Sequence, residues 1–191
     1  MSRCFKNIAM DIKSPGEYGD MDLMEAIRRR HSVRSYRDKE VPEETLQQVL
    51  EAARLAPSAK NRQEWKFVVV TDENTRRELQ QAAKGQRFVG EAPVVIAGIA
   101  TETGYVMSCG VPAAHVDVAI AMEHIALAAA AHGLGTCWIG AFYQDAARDA
   151  LDVPGDCQVV ALMPLGYPAD TPGEKKRKPL DAIMSREHFT R

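Results

Sequence analysis

The stretch RRRHSVRSY, residues 28–36, concentrates positive charge in a chain that is otherwise close to neutral. It places several arginines and one imidazole around two serine hydroxyls. Guanidinium groups present paired N–H donors that match the oxygens of a phosphate or a carboxylate. The stretch therefore indicates either an anion-binding site or a basic helix end that is only solvated, and by itself it fits the solvated helix end better.

The charge composition limits the classes of partner. The 191 residues include 24 Lys and Arg against 26 Asp and Glu, which gives a formal net charge of -2. Proteins that bind nucleic acid usually carry a basic excess. We therefore expect no nucleic-acid partner and interpret the arginine run as a local feature.

The four cysteines, Cys4, Cys109, Cys137 and Cys157, are scattered and form no C-x-x-C pair. Isolated cysteines are typical of a reducing compartment, so we expect a cytoplasmic protein without a metal site. Cys137 lies in an apolar segment and is interpreted as a small core residue rather than a nucleophile. No apolar run reaches the roughly 18 residues of a membrane span, and residues 1–20 contain no apolar signal core.

Familiar catalytic and nucleotide-binding motifs are absent from the sequence. GLGTCWIG has Trp138 where a G-x-G-x-x-G loop needs its third glycine, and it follows a predicted helix instead of a strand. The sequence contains no P-loop, no G-x-S-x-G and no H-E-x-x-H. His115, His124 and His132 are spaced too widely to compel a metal site.

The elements that must position the arginine run alternate between helix and strand. Asp22 and Glu25 resemble a capping box before the arginines, and Pro42 begins a helix that ends before Pro57. Further helices are predicted in ENTRRELQQAAK after Asp72, in AAHVDVAIAMEHIALAAAAHG and in QDAARDAL. KFVVVT and PVVIAGIA are predicted to be buried strands. The strand set is completed by GTCWIGAF and QVVALMPLGYP. This order predicts one α+β or three-layer domain over residues 21–191, with residues 1–20 as an N-terminal extension and PGEKKRKP as a charged loop.

The combination of R-R-H-S-x-R, A-P-S-A-x-N-x-Q-x-W, G-L-G-x-x-W-I-G and a late basic loop resembles the FMN-dependent nitroreductase family. The resemblance runs from about Leu23 to about Ile183. It implies a three-layer α/β/α fold with a mixed, mostly antiparallel sheet, in an intertwined homodimer with FMN at the interface. It also implies that NADH or NADPH reduces FMN, and that electrons then pass from flavin N5 to a small nitroaromatic, quinone or enone acceptor in a ping-pong sequence.

The resemblance assigns the basic residues to the FMN phosphate and the flavin edge. Arg30, His31 and Ser32 match the phosphate and ribityl part of the family site, and Arg177, with Lys175, matches a late basic phosphate contact. Arg34 matches a cation near the pyrimidine edge of the flavin, where it would stabilise the negative charge of the reduced ring. Gln86 and Arg87 would supply similar contacts.

The resemblance also assigns two uncharged segments to the flavin. Pro57, Ser58, Ala59 and Asn61 match residues that reach the flavin of the partner subunit. Ile139 and Gly140 match a turn whose backbone N–H faces flavin N5, although many relatives carry a polar or acidic residue where this chain has Ile139. No side chain is expected to act as a nucleophile, because the cofactor carries the chemistry.

Other functions stay open from the sequence. Within the same fold, a reductive dehalogenase or an enzyme that cleaves reduced flavin are alternatives, although the short 101–112 loop offers no obvious lid for a zwitterion. Two alternatives belong to other functional classes: a flavin-binding module without turnover, and a basic peptide-binding domain. The peptide-binding domain predicts a colourless protein.

Overall fold

The computed structural model describes residues 21–191, so the predicted extension 1–20 lies outside the described residues. Short loops join six helices and four strands within that range. In chain order they are α1 (Leu23–Arg29), α2 (Glu43–Arg54), β1 (Trp65–Val70), α3 (Glu73–Ala82), α4 (Arg87–Glu91), β2 (Val94–Ala100), α5 (Ala113–Ala131), β3 (Gly135–Thr136), α6 (Gln144–Ala150) and β4 (Gln158–Gly166).

The four strands form one sheet in the order β1-β2-β4-β3, and all three pairings are antiparallel. A parallel bridge between Ser32 and Thr136 adds the segment after α1 to the β3 edge. The sheet is therefore mixed and mostly antiparallel, as predicted. It also brings the serine of the arginine run to a fixed position beside β3.

Two apolar cores lie on opposite faces of the sheet. One core joins α2 and α5 to the sheet, and the other joins α3, α4 and α6 to it. Every residue of β2 is buried, as expected for a central strand covered on both faces. This arrangement confirms the three-layer prediction.

Helix α5 is the central element of the first core. It is long and apolar enough to cross a membrane, with 19 residues and a mean hydropathy of 1.3, which corrects the expectation that no segment would reach that length. Asp117 and Glu123 are too few to offset the alanines around them. Because 56% of the apolar stretch is buried inside the chain, its position against α2 and the sheet accounts for its composition.

Several predicted helix ends are confirmed by the capping geometry. The Asp22 carboxylate accepts the N–H groups of Met24 and Glu25, and the Asp72 carboxylate accepts the Thr75 N–H. Gly133 closes α5 at φ 71°, a conformation that glycine adopts without strain.

Two local predictions were wrong, and one helix was missed. Within residues 21–191, β1 pairs with β2 alone and is an edge strand, and Val70 is its one buried residue. The predicted strand over GTCWIGAF pairs regularly only at Gly135–Thr136 and touches β4 again through an Ile139–Leu162 bridge. Helix α4 was not predicted, since its five residues are too few to reveal a periodic pattern.

Candidate functional site

A cation cavity lies where the arginine run meets the late basic loop. Its volume is about 450 Å³. We use the name cation cavity for the space lined by Arg30, His31, Ser32, Arg34, Gly173, Glu174, Lys175, Lys176 and Arg177. One carboxylate faces several cations there, so the donor set suits an anion.

Lys175 fixes the late loop to the end of α1. Its Nζ donates to the carbonyl oxygen of Ile27 at 3.1 Å and also to that of Arg28, although Lys175 and Ile27 lie 148 residues apart in the chain. These carbonyls end a helix, where a cation is stabilised by the helix dipole. Burial, followed by repulsion from Arg30 and Arg177, holds the pKa of Lys175 below its usual value. The cations are therefore close enough to repel one another, and a bound anion would relieve that repulsion.

The other wall of the cation cavity is held by β3 and by Asp170. The Val33 N–H donates to the Thr136 carbonyl at 2.9 Å, which fixes the residues on either side of Val33. The Asp170 carboxylate accepts the Arg34 N–H at 3.3 Å and lies 3.5 Å from His31 Nε2. The arginine run is thus anchored by its backbone, while its cationic side chains line the cavity.

Cys137 lies beneath this wall and is 2% exposed. Burial raises the pKa of its thiol, while the Arg34 charge and a hydrogen bond from Ser32 oppose that rise. A buried thiol with a raised pKa is a poor nucleophile. The geometry therefore agrees with its interpretation as a core residue.

Residues 57–63, which we call the 57–63 loop, connect α2 to β1. Part of this loop has positive φ angles, which are rare for residues other than glycine. Lys60, Asn61 and Gln63 all have φ near +55°, at 53°, 55° and 55°. The Ala59 N–H donates to both oxygens of the buried Asp117 carboxylate on α5, at 3.1 and 3.2 Å. Within the loop, Ser58 Oγ accepts the Gln63 N–H at 3.1 Å, so the loop is ordered by its own hydrogen bonds as well.

The loop and the cation cavity lie at opposite halves of α5. Ala59 contacts Asp117 in the first half, whereas Arg30 faces Glu123 at 3.9 Å, and Arg30, Ala126 and Ala130 line an adjoining cavity in the second. At 1.5 Å per residue, Asp117 and Ala130 are about 20 Å apart along the helix. The predicted loop residues Pro57, Ser58, Ala59 and Asn61 are thus not brought to the cation cavity of the same chain.

The remaining predicted residues divide into two groups. Gln86 Nε2 donates to the Ala141 carbonyl at 3.3 Å, so Gln86 lies beside the turn that contains Gly140. The Ile139 N–H is already bonded to the Leu162 carbonyl at 2.9 Å, whereas the Gly140 N–H makes no hydrogen bond within residues 21–191. The Arg87 side chain is 83% exposed and pairs with Glu91 along α4, so the structure does not bring it to the cation cavity.

Sequence reasoning missed two carboxylates that hold the site in shape. Asp117 had a usable signal, since it is a lone acidic residue in the first two turns of an almost wholly apolar helix. Asp170 had none, because it stands in a loop without a periodic pattern and its contacts with His31 and Arg34 span most of the chain.

Comparison with known proteins assigns this chain to a family. A model described as the Nitroreductase family matches residues 27–102 and 83–167. The chain belongs to the nitroreductase family. A putative NADH dehydrogenase/NAD(P)H nitroreductase of Methanothermobacter thermautotrophicus is 32% identical over 180 residues, covering 89% of this chain and 90% of that protein. A nitroreductase family protein from Clostridium novyi has a crystal structure that matches with a TM-score of 0.75 at 33% identity, covering 81% of this chain and 89% of the other.

Two further relatives have more specific names. An FMN reductase [NAD(P)H] of Bacillus subtilis is 30% identical, covering 88% of this chain and 74% of that protein. A 5,6-dimethylbenzimidazole synthase of Rhodospirillum rubrum is 31% identical over 167 residues, covering 74% of this chain and 79% of that protein. The family therefore includes relatives with different named activities at similar identity.

Proposed function

We propose that this chain is an FMN-dependent oxidoreductase that takes electrons from NADH or NADPH. The cation cavity carries the proposal, since two segments at opposite ends of the domain converge there on a site suited to a phosphate. The name of the Bacillus subtilis relative supports FMN as the phosphate-bearing ligand. When bound, FMN supplies hydride acceptance from a nicotinamide and electron transfer to a second substrate.

In this proposal the residues of the chain bind and orient. Arg30, Lys175 and Arg177 would hold the phosphate by charge-assisted hydrogen bonds, with His31 and Ser32 beside them. Arg34 extends the positive charge away from the phosphate towards Cys137 and β3, where a cation favours electron-rich flavin. The Gly140 N–H would donate to the flavin ring, since the Ile139 N–H beside it is bonded to Leu162.

We further propose a nitroaromatic, quinone or enone as the electron acceptor. Most of the side chains that line the cavity are cations, which suit the binding and orientation of an anionic cofactor. Donor and acceptor would occupy the same place in turn, which predicts ping-pong kinetics. Such an exchange suits planar acceptors that can replace a nicotinamide ring.

A homodimer with sites shared between subunits completes the proposal. The separation of the 57–63 loop from the cation cavity within one chain supports it, because the two would then serve different sites. Apolar side chains that are exposed in the single chain also support a subunit interface. They include Leu23, Met24 and Ile27 on α1 and Leu180, Ile183 and Phe189 near the C-terminus.

The visible spectrum of the purified protein tests the cofactor. We expect one FMN per chain, released by heat and identified by mass. A protein that stays colourless after incubation with FMN, without quenching of flavin fluorescence, would contradict the proposal.

Steady-state kinetics test whether donor and acceptor bind in turn at the same place. Parallel double-reciprocal lines for NAD(P)H oxidation at several acceptor concentrations would support this exchange, and intersecting lines would exclude it.

Cleavage of reduced flavin is a second candidate function, favoured by the identity to the relative named 5,6-dimethylbenzimidazole synthase. Reduced FMN would be incubated with the protein and oxygen, and total flavin followed by chromatography. We expect full recovery of FMN. Loss of flavin with appearance of a benzimidazole would favour the second candidate instead.

A further inference from the structure

Asp117 is a buried acid whose position is not explained by the cation cavity. It is 4% exposed in an apolar helix, and no salt bridge to it is formed within residues 21–191. A buried carboxylate without compensating hydrogen bonds is costly. Both of its oxygens accept the Ala59 N–H, so Asp117 is bonded to the backbone of the 57–63 loop.

The 57–63 loop needs such an anchor because its backbone is unfavourable by itself. Three residues with side chains, Lys60, Asn61 and Gln63, adopt left-handed φ values. Each such residue costs free energy that the surrounding structure must offset. The Ser58–Gln63 hydrogen bond closes the loop internally, whereas the Asp117–Ala59 bond ties the start of the turn to α5.

We propose that Asp117 is a positioning residue, which holds Ser58, Ala59 and Asn61 in the shape that contacts the flavin. This inference rests on the proposed function, in which those loop residues reach an FMN. Asp117 lies in α5, a core helix, so the anchor is as rigid as the core itself. The bond therefore transfers the rigidity of α5 to a strained surface loop.

The 57–63 loop also contacts an aromatic ring, so Asp117 does not hold the whole loop alone. The Arg62 guanidinium lies 4.6 Å and Lys60 Nζ 5.4 Å from the centre of the Tyr105 ring. These contacts hold the second half of the turn by side chains that remain close to solvent. Asp117 acts instead on the first half, where Ser58 and Ala59 lie.

A double-mutant cycle on FMN affinity tests the proposal. Asp117→Ala should raise the Kd for FMN by about tenfold to hundredfold, because FMN binding would then have to order the loop that the Asp117–Ala59 bond holds in the wild type. In a Ser58→Ala, Asn61→Ala background the same substitution should raise the Kd by less than about threefold, because coupled residues are not additive. Asp117→Asn keeps an oxygen acceptor for the Ala59 N–H and should recover most of the affinity.

Val118→Ala is the matched control, since Val118 is the next residue of α5 and is fully buried against the sheet. It should lower the melting temperature but leave the FMN Kd nearly unchanged. Hydrogen exchange of the cofactor-free protein gives a readout without flavin. Exchange at residues 57–63 should accelerate in Asp117→Ala and not in Val118→Ala.

The outcomes separate this proposal from the proposed function. A wild-type chain that binds no FMN would overturn the proposed function, and the flavin-related role of Asp117 with it. If wild type binds FMN but Asp117→Ala weakens binding equally in both backgrounds, or no more than Val118→Ala does, then Asp117 only stabilises the core. Unchanged exchange in the 57–63 loop would overturn the anchoring role directly.

Discussion

At the scale of single residues, the cation cavity depends on side chains that are held before any ligand arrives. Arg30 is partly buried and faces Glu123 only at 3.9 Å, while Lys175 is held by two helix carbonyls. Such cations are oriented without being neutralised by close carboxylates. An anion therefore meets preorganised donors, which reduces the entropy lost on binding.

Replacing Arg30 should distinguish the contribution of the FMN phosphate to binding from that of the flavin ring. We expect Arg30→Ala to weaken FMN binding by about 1.5–3 kcal/mol, the range for a hydrogen bond to a charged group. Riboflavin lacks the phosphate, so its Kd should hardly change. Titration of both ligands by flavin fluorescence checks this, with Arg77→Ala as the control because Arg77 pairs with Glu73 on the surface of α3. Equal weakening of both ligands would mean that Arg30 supports the fold instead.

Because of Lys175, the affinity for FMN should fall at alkaline pH. Burial, Arg30 and Arg177 lower its pKa in the free protein below the ordinary 10.5, and a bound phosphate dianion would raise it again. The complex thus holds the proton more tightly, so affinity is complete below the pKa of the free protein and falls as pH rises through it. FMN titrations from neutral pH to about pH 10 should show a loss that Lys175→Arg removes, because arginine stays charged. A pH profile identical in Lys175→Arg would assign the loss to another group.

At the scale of secondary-structure elements, the site depends on how closely β3 approaches the arginine run. A Cβ added at Gly135 would lie 2.4 Å from Cγ2 of Val33, which is fully buried. Gly135→Ala should therefore push residues 32–34 away from β3, with a destabilisation of about 1–3 kcal/mol from overpacking and a weaker FMN complex. Urea denaturation and FMN titration measure the two effects.

Two variants make the test of this contact specific. Val33→Ala combined with Gly135→Ala should restore part of both losses, because it removes the methyl groups that clash. Gly104→Ala should be nearly silent, since the nearest atom is the end of the flexible Glu102 side chain. A double variant that is as impaired as Gly135→Ala alone would show that the approach of β3 to Val33 does not set the shape of the site.

The elements that the sequence predicted correctly are those with a local signal. α2 has an amphipathic pattern, α3 has its Asp72 cap and α5 is a long apolar run closed by Gly133, while β2 and β4 are short apolar runs. The edge position of β1 and the brevity of β3 depend on which strands pair, and no local pattern encodes that choice. The same limit applies to the site, where the bond from Lys175 to the end of α1 and the Asp117 anchor join distant segments.

At the scale of the whole molecule, the proposed function requires two parts of a flavin site that residues 21–191 do not bring together within one chain. The 57–63 loop lies near the start of α5, and the cation cavity lies near its end. A two-fold axis that places two copies of α5 side by side in opposite directions would bring the loop of one chain to the cavity of the other. Closed two-fold assemblies are the commonest homo-oligomers, and they bury apolar patches such as the one on α1.

Subunit mixing tests this arrangement. One chain would carry Arg30→Ala and Arg34→Ala, and the other Ser58→Ala and Asn61→Ala, under conditions that exchange subunits. In a shared-site dimer both lesions fall on one site, so the second site is intact and NAD(P)H oxidation should recover towards half of the wild-type rate. If each site is built within one chain, every site keeps a lesion and the activity stays low. Confirmed heterodimers without recovered activity would therefore exclude the shared site, whereas the separate homodimers of each variant set the baseline.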